Sequence, residues 1–153
     1  MLSMKNPVTQ VLVVEDNPGD VRLVREVFDE AGFSNHLSVV ADGEQALDFL
    51  RKKGRFSQAP QPGLVILDIG LPGKSGLEVL REIKQDHNLR RIPVLILSSS
   101  NARADILKGY ELYANAFITK PGSLDQFIQA VRIIENFWLE IASLPGQNEA
   151  GLI

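Results

Sequence analysis

The stretch Val11–Pro18 reads VLVVEDNP and joins four apolar residues to two carboxylates and a helix start. A continuous apolar run is typical of a strand that is buried on both faces of a parallel sheet. The asparagine and proline that end the stretch suit a helix N-cap and the first helical position, and Asp20 then stands in the positive first turn. The stretch therefore predicts a strand that leads directly into a helix, with Glu15 and Asp16 at the junction.

Strand-like and helix-like segments alternate about five times along the chain. Such alternation predicts an α/β protein with a doubly wound, five-stranded parallel sheet that carries helices on both faces. The predicted strands are Val11–Val14, Leu37–Ala41, Leu64–Leu67, Pro93–Leu97 and Ala116–Thr119. The predicted helices follow side chains that are able to cap them, which are Asn17, Asp42, Ser75, Asn101 and Ser123.

The last predicted helix, Ser123–Ser143, would be about 31 Å long, which is more than one small sheet needs. Its inward stripe has spacings of three and four residues and comprises Leu124, Phe127, Val131, Ile134, Trp138 and Ile141. Ile133 and Phe137 fall outside this stripe, so together with Trp138 they are candidates for a homodimer contact. The alternative is that the C-terminal tail folds back over them.

Length and composition limit the class of protein. With 153 residues, of which 44% are hydrophobic, the chain predicts one domain over 9–143, an N-terminal tail at 1–8 and a mobile C-terminal tail at 144–153. The net charge is −3 without a basic patch, so nucleic-acid binding is not expected. No apolar run reaches the ~18–20 residues that cross a membrane, and the start lacks a secretory signal. The absence of cysteine fits a cytoplasmic location.

Charged and hydroxyl side chains stand at the ends of four predicted strands. Glu15 and Asp16 follow the first strand, Asp68 the third, Ser98 the fourth and Lys120 the fifth. In an open parallel sheet, the carboxyl ends of the strands form the crevice in which ligands bind. The sequence therefore predicts that these five side chains converge on one site.

These residue types have a joint chemical rationale. A carboxylate such as Asp68 can accept a phosphoryl group and become an aspartyl phosphate, provided that the repulsion between the two anions is reduced. Mg²⁺ prefers carboxylates, water and phosphate oxygens, so Glu15, Asp16 and Asp68 predict a Mg²⁺ site in which Asp68 is both ligand and phosphoacceptor. The Lys120 ammonium would balance the remaining phosphoryl oxygens, and the Ser98 hydroxyl could donate to the same group.

Residues 9–142 resemble the receiver domain of bacterial two-component response regulators. The motifs that carry the resemblance are Glu15-Asp16, Asp68 within LDIGLPG (67–73), Ser98, Phe117 and Lys120-Pro121. The spacings agree as well, because the hydroxyl and the lysine stand 30 and 52 residues after the acceptor aspartate. The segments NPGD (17–20), SSS (98–100) and ENFWLE (135–140) are similar, more narrowly, to small regulators paired with cyanobacterial-type phytochromes.

The resemblance implies the strand order 2-1-3-4-5 of a flavodoxin-like receiver fold with an extended C-terminal helix. It implies that the backbone carbonyl of Gly70 is a further metal ligand, in a site where Mn²⁺ or Ca²⁺ can replace Mg²⁺. It also implies that a sensor histidine kinase, in the narrower resemblance a phytochrome, phosphorylates Asp68. Movements of Ser98 and Phe117 would then alter the surface that an unknown downstream protein reads. The Lys120–Pro121 bond is expected to be cis.

Receivers often carry asparagine or another side chain at the position of Gly70, so we expect the phosphoryl group to be less shielded here.

Each site residue taken singly has a simpler explanation, because acids after strands often cap helices and a Lys-Pro pair is often an exposed turn.

Three other functions stay open. A phosphatase with an aspartyl nucleophile usually has a second acid where this chain has Gly70. A nucleotide or flavin module needs a glycine loop after the first strand, where Glu15 and Asp16 would repel phosphate. A receiver-like scaffold that works without phosphorylation is the third alternative.

Overall fold

A computed structural model gives the structure of residues 8–31 and 34–145. One five-stranded parallel sheet has the order β2-β1-β3-β4-β5, which confirms the predicted fold class and strand order. The strands are β1 (Thr9–Val14), β2 (Asn35–Val40), β3 (Leu64–Leu67), β4 (Val94–Ser98) and β5 (Ala116–Thr119). The bounds of β3 and β5 are those predicted, and the ends of the other three differ from prediction by at most two residues.

Helices cover both faces of the sheet. They are α1 (Pro18–Asp29), α2 (Gly43–Arg51), α3 (Gly76–Gln85), α4 (Arg103–Glu111) and α5 (Leu124–Glu135), with a short 3₁₀ turn at Gly54–Phe56. Alternate residues of β1 serve two cores, since Leu12 and Val14 pack with α2 and α3 while Val11 and Val13 pack with α1 and α5. This division follows from the two-residue period of a strand. The sheet is therefore a rigid layer between two hydrophobic cores.

Four of the five predicted helix caps are confirmed. The side chains of Asn17, Asp42, Ser75 and Ser123 each accept a hydrogen bond from a backbone N–H in the first turn of the following helix. The prediction for α4 was wrong, because its N-cap position is Ala102 and not Asn101. Ala102 has no side-chain oxygen that could cap α4, and the N–H of Ala102 itself, just before the first turn, donates to Ser100 Oγ at 3.3 Å.

The helical segment after Ser123 reaches the expected length but changes form. It continues beyond α5 as a π-helix over Asn136–Ile141, and the Ala142 N–H donates to the Phe137 carbonyl oxygen five residues earlier. The wider turn rotates the residues that follow, so Leu139 is buried while Ile141 is 65% exposed. The predicted inward stripe is therefore wrong at Ile141 and also at Leu124, which lies exposed in the first turn of α5.

The packed part of the domain extends beyond the predicted boundary at 143, because Leu144 is 1% exposed and joins the core beside α1 and α5. Most of both predicted tails, residues 1–7 and 146–153, lies outside the described residues. Within residues 8–31 and 34–145, no helix has the length and apolar character that crossing a bilayer requires.

Glu135, at the junction of α5 and the π-helix, is a buried acid. Its Oε2 atom has no hydrogen-bond partner among the described residues. Burial raises the pKa of Glu135 to about 7, and a side-chain hydrogen bond with Glu140 and the negative charge of Glu140 act in the same direction. The carboxyl also borders a cavity of about 300 Å³ that is lined by Glu30 and Arg132. The folded protein therefore holds a proton here that an unfolded chain releases at a lower pH.

We expect the free energy of unfolding to fall as the pH rises from 4.5, the ordinary pKa of a glutamate, to about 7, the pKa of Glu135 in the folded protein. Between these two pH values the folded state binds more protons than the unfolded state. The stabilisation that Glu135 provides is therefore complete below the pKa of the unfolded chain and lost above the pKa of the folded protein. Glu135→Gln should remove this dependence of the unfolding free energy on pH, which has a slope of at most about 1.4 kcal/mol per pH unit. Urea denaturation across this pH range measures it, with Glu30→Gln as control. Equal slopes in wild type and Glu135→Gln would contradict the prediction.

Candidate functional site

The hydrogen-bond ladder of the sheet continues one residue beyond three strands and fixes the backbone of the site. The backbone N–H groups of Glu15, Asp68 and Lys120 donate to neighbouring strands at 3.0, 3.1 and 2.7 Å. Their side chains therefore start from the same carboxyl edge of the sheet, which is where the sequence predicts a site. Parallel strands place ligand sites at this edge in general.

Three carboxylates predicted to bind metal lie together at this edge. Oxygens of Glu15, Asp16 and Asp68 all lie within 4.8 Å of one another. Glu15 and Asp68 are buried, whereas Asp16 is exposed. Carboxylate oxygens are the ligands that hard divalent cations prefer, so this cluster fits a divalent metal site.

The Lys120 ammonium lies among these acids with its side chain 11% exposed. Its Nζ is 2.7 Å from Glu15 Oε1 and 3.4 Å from Asp68 Oδ2. A further carboxylate, Asp20 Oδ2, is only 2.8 Å from the same nitrogen. The sequence predicts Asp20 only as an acid in the first turn of a helix. The signal that could have added it to the site is its position on the turn directly after the acidic pair.

The charges of the site favour an ionised acceptor. Burial opposes ionisation of Asp68, but the Gly70 N–H hydrogen bond and the Lys120 charge outweigh it and hold the pKa of Asp68 below its ordinary value. Burial raises the pKa of Glu15 to about 7, against the opposing effect of Lys120. The acids around Lys120 raise the pKa of its ammonium, although burial alone would lower it. Without a metal ion, a proton on the acid pair therefore favours Glu15, and Asp68 is left as the anion.

The start of α3 holds the loop that carries Asp68. A β-carbon at Gly76 would lie 2.2 Å from the Asp68 carbonyl oxygen, so only glycine lets the helix approach the strand end this closely. A capping box formed by Ser75 and Glu78 fixes this first turn. On the same loop, the Gly70 N–H donates to Asp68 Oδ1 at 3.1 Å. The orientation of the Asp68 carboxylate is thus set by its own loop.

Space for a small group lies beside the acceptor. A cavity of about 290 Å³ is lined by Gly70 and Ser98 among others, and Ser98 itself is 2% exposed. A β-carbon at Gly70 would meet only Asp68 Oδ1, at 3.9 Å. A larger cavity of about 540 Å³ has Gly63 and Pro93 in its wall, at the opposite edge of the sheet. The described residues that line this larger cavity include none of the predicted site residues.

Phe117 lies apart from the carboxylates, half-buried beneath α4. Its ring approaches Gly109 so closely that a β-carbon there would lie 3.0 Å from Phe117 Cδ2. Its backbone N–H donates to Tyr110 Oη at 3.1 Å. The structure thus links Phe117 to α4, and its predicted role as a switch remains a prediction.

The expected cis form of Lys120–Pro121 was wrong, since no peptide bond is cis in the described parts of the chain. The trans form of an X–Pro bond keeps an intrinsic preference of about 0.5–1 kcal/mol. In this form Lys120 already makes its backbone bond to Ser98 and its ion pairs with the acids.

Comparison with known proteins agrees with this geometry. Residues 11–132 match the family model of the response regulator receiver domain. Response regulator Rcp1 of Synechocystis sp. is 41% identical over 145 residues, which cover 95% of this chain and 99% of Rcp1. The chain therefore belongs to the response regulator receiver family of two-component signalling proteins.

Two solved structures are similar over nearly the whole domain. The Mn²⁺-bound form of Rcp1 has a TM-score of 0.89 and 41% identity, with 90% of this chain and 99% of that chain covered. The phosphorylated cyanobacterial phytochrome response regulator RcpA has a TM-score of 0.89 and 42% identity, with 92% and 100% covered. The family and the strand order predicted from the sequence are thus confirmed.

Proposed function

We propose that this protein is a response regulator that accepts a phosphoryl group on Asp68 and signals by a change of the surface of its receiver domain. The observation that supports the proposal most is the geometry at the sheet edge. There, the Lys120 ammonium and the carboxylates of Glu15 and Asp16 lie around the Asp68 carboxylate, which is the proposed acceptor. The protein is then a signalling component and not an enzyme acting on an external substrate.

The proposed transfer starts from a phosphohistidine of a sensor histidine kinase. An Asp68 carboxylate oxygen forms a bond to phosphorus, the N–P bond breaks, and its electron pair returns to the imidazole. Lys120 offsets negative charge on the phosphoryl oxygens, and Ser98 donates a hydrogen bond to one of them. Glu15, Asp16, Asp68 and the Gly70 carbonyl would hold Mg²⁺, with Mn²⁺ or Ca²⁺ as substitutes. When bound, the cation supplies positive charge that reduces repulsion between the acceptor and the phosphoryl group.

The output of this switch would run through Ser98 and Phe117. A new hydrogen bond to the phosphoryl group draws Ser98 toward Asp68, and Phe117 moves inward from its place beneath α4. Because Phe117 contacts Gly109 and Tyr110, such a movement changes the surface of α4. An unidentified downstream protein would recognise this changed surface.

The proposed kinase is a phytochrome or a related sensor. This assignment is supported by the 42% identity to RcpA, which is a cyanobacterial phytochrome response regulator. We propose a cytoplasmic location, since histidine kinases take their phosphoryl group from cytoplasmic ATP.

Incubation with a small acyl phosphate and Mg²⁺ should label the wild-type chain with about one phosphoryl group that is stable to acid and labile to base. Asp68→Asn should not be labelled because it lacks the nucleophile, and omission of Mg²⁺ should reduce labelling strongly. Intact-mass spectrometry and radiolabelled gels measure the result. Unlabelled, folded wild-type protein would favour the phosphorylation-independent scaffold. Release of many phosphates per chain without accumulated label would favour a phosphatase.

Gly70→Asn should lengthen the lifetime of the phosphoryl group. The space beside Gly70 admits a side chain, which would shield the phosphorus from attacking water. Loss of label after removal of the donor measures the hydrolysis rate, and we expect a change of about two- to tenfold, or about 0.4–1.4 kcal/mol in barrier. Gly122→Ala is the control, because a β-carbon there meets nothing within 4 Å. Equal rates for Gly70→Asn and wild type would contradict the shielding argument.

We also propose that the protein forms a homodimer through the end of α5 and the π-helix. Ile133 is 66% exposed and Phe137 48% exposed, and Trp138 packs edge-on against Phe137 at a centroid distance of 5.3 Å. A second copy of this chain can cover such an apolar surface with its own.

Phe137→Glu should convert the dimer to a monomer, because it places a charge in the apolar contact. Val8→Glu, which changes a 52% exposed residue beside β1, is the matched control and should stay dimeric. Analytical ultracentrifugation measures the mass of each. A dimeric Phe137→Glu, or a monomeric wild type at all concentrations tested, would disprove the proposed contact.

A further inference from the structure

Asp20 shares the Lys120 ammonium with the proposed phosphorylation site. Its Oδ2 lies 2.8 Å from Nζ, almost as close as Glu15 Oε1 at 2.7 Å, whereas Asp68 Oδ2 lies at 3.4 Å. An ammonium has three N–H donors, so each of the three carboxylates can accept one. Of these three, the proposed acceptor is held at the longest distance.

The position of Asp20 is fixed by the start of α1. Its backbone N–H donates to Asn17 Oδ1 at 3.1 Å, so the N-cap orders the turn that carries it. An acid in a first turn also interacts with the helix dipole, which is the simpler explanation for its presence. That interaction does not require the contact of 2.8 Å with a lysine 100 residues away in the sequence.

Glu15 and Asp20 differ in what happens to their contacts with Lys120. Glu15 belongs to the carboxylate cluster that fits a divalent cation, and Asp20 does not belong to it. An oxygen that binds a cation is a poorer partner for an ammonium, so the contact with Glu15 weakens when the site is loaded. Asp20 lies outside the cluster, so cation binding does not weaken its contact with Lys120 in this way.

Building on the proposed function, we propose that Asp20 is a positioning residue, which holds the Lys120 ammonium beside Asp68 and competes with the bound phosphoryl oxygens for it. Before transfer, this contact keeps the charge of Lys120 near the acceptor. After transfer, a phosphoryl oxygen must draw the ammonium away from the Asp20 carboxylate. Asp20 therefore limits how tightly the phosphorylated state is held.

The test uses the full chain with saturating Mg²⁺ and beryllofluoride as a phosphoryl mimic. Asp20→Asn should bind beryllofluoride about three- to tenfold more tightly, because a neutral amide competes less for the ammonium. The backbone amide signals of Gly70 and Ser98 report binding in an NMR titration. Glu26→Gln removes the same charge from an exposed site on the same helix, where Glu26 pairs with Arg22. It should leave the affinity unchanged.

A double-mutant cycle separates competition for the lysine from a general effect of charge. In the Lys120→Met background, Asp20→Asn should have little effect on the affinity, since no ammonium remains to be released. A second measurement uses the ¹⁵N signal of the Lys120 ammonium in the metal-free protein. It should exchange its protons faster with water in Asp20→Asn than in wild type.

Any one of three results would overturn the proposal. The first is an Asp20→Asn affinity equal to that of wild type. The second is an unchanged gain in affinity from Asp20→Asn in the Lys120→Met background. The third, which decides the matter if Lys120→Met binds no beryllofluoride, is an unchanged ammonium signal in Asp20→Asn. Any of these results leaves the proposed function intact, whereas failure of wild type to bind the mimic or to be phosphorylated contradicts the proposed function itself.

Discussion

The Lys120 ammonium allows two buried carboxylates, Glu15 and Asp68, to lie side by side at the edge of the sheet. Two such acids without a counterion would repel each other, and at least one would take up a proton. Lys120 lies within 3.4 Å of both, and the pKa of Asp68 stays low as a result of this charge and the Gly70 N–H bond. A buried pair of this kind is a weak source of stability, because the removal of its charges from water costs about as much as their attraction returns. Under the proposed function, the arrangement prepares the Asp68 anion for reaction.

The sheet supplies the rigidity that this charge balance requires. Lys120 and Glu15 are 105 residues apart in the sequence, and β3 and β4 lie between the two strands that they follow. Each strand fixes one side chain at its carboxyl end, while helices on both faces fill the two cores. Loops on such a scaffold are free to vary without loss of the frame. Gly70 lies on such a loop, and its neighbourhood admits a side chain.

Features with local causes were predictable from the sequence. Apolar runs identified β3 and β5, and capping side chains identified four helix starts. Carboxylates at strand ends predicted the cluster that fits a metal ion, because the carboxyl ends of parallel strands lie at one edge of the sheet. Features with tertiary causes were not predictable. The Asp20–Lys120 contact depends on where α1 points relative to β5. The apolar pattern of α4 is weak, and Gly109 is the one buried residue of this helix.

The π-helix at Asn136–Ile141 lets this segment hold one residue more than a regular α-helix along the same path. Two buried residues, Ile134 and Leu139, stand five positions apart across it. Deletion of one residue between them would set them four apart, which is the spacing of one face of an α-helix, so Leu139 would stay in the core. A further inserted residue would instead turn every later helical position by about 100°. The segment therefore tolerates the loss of a residue better than the gain of one.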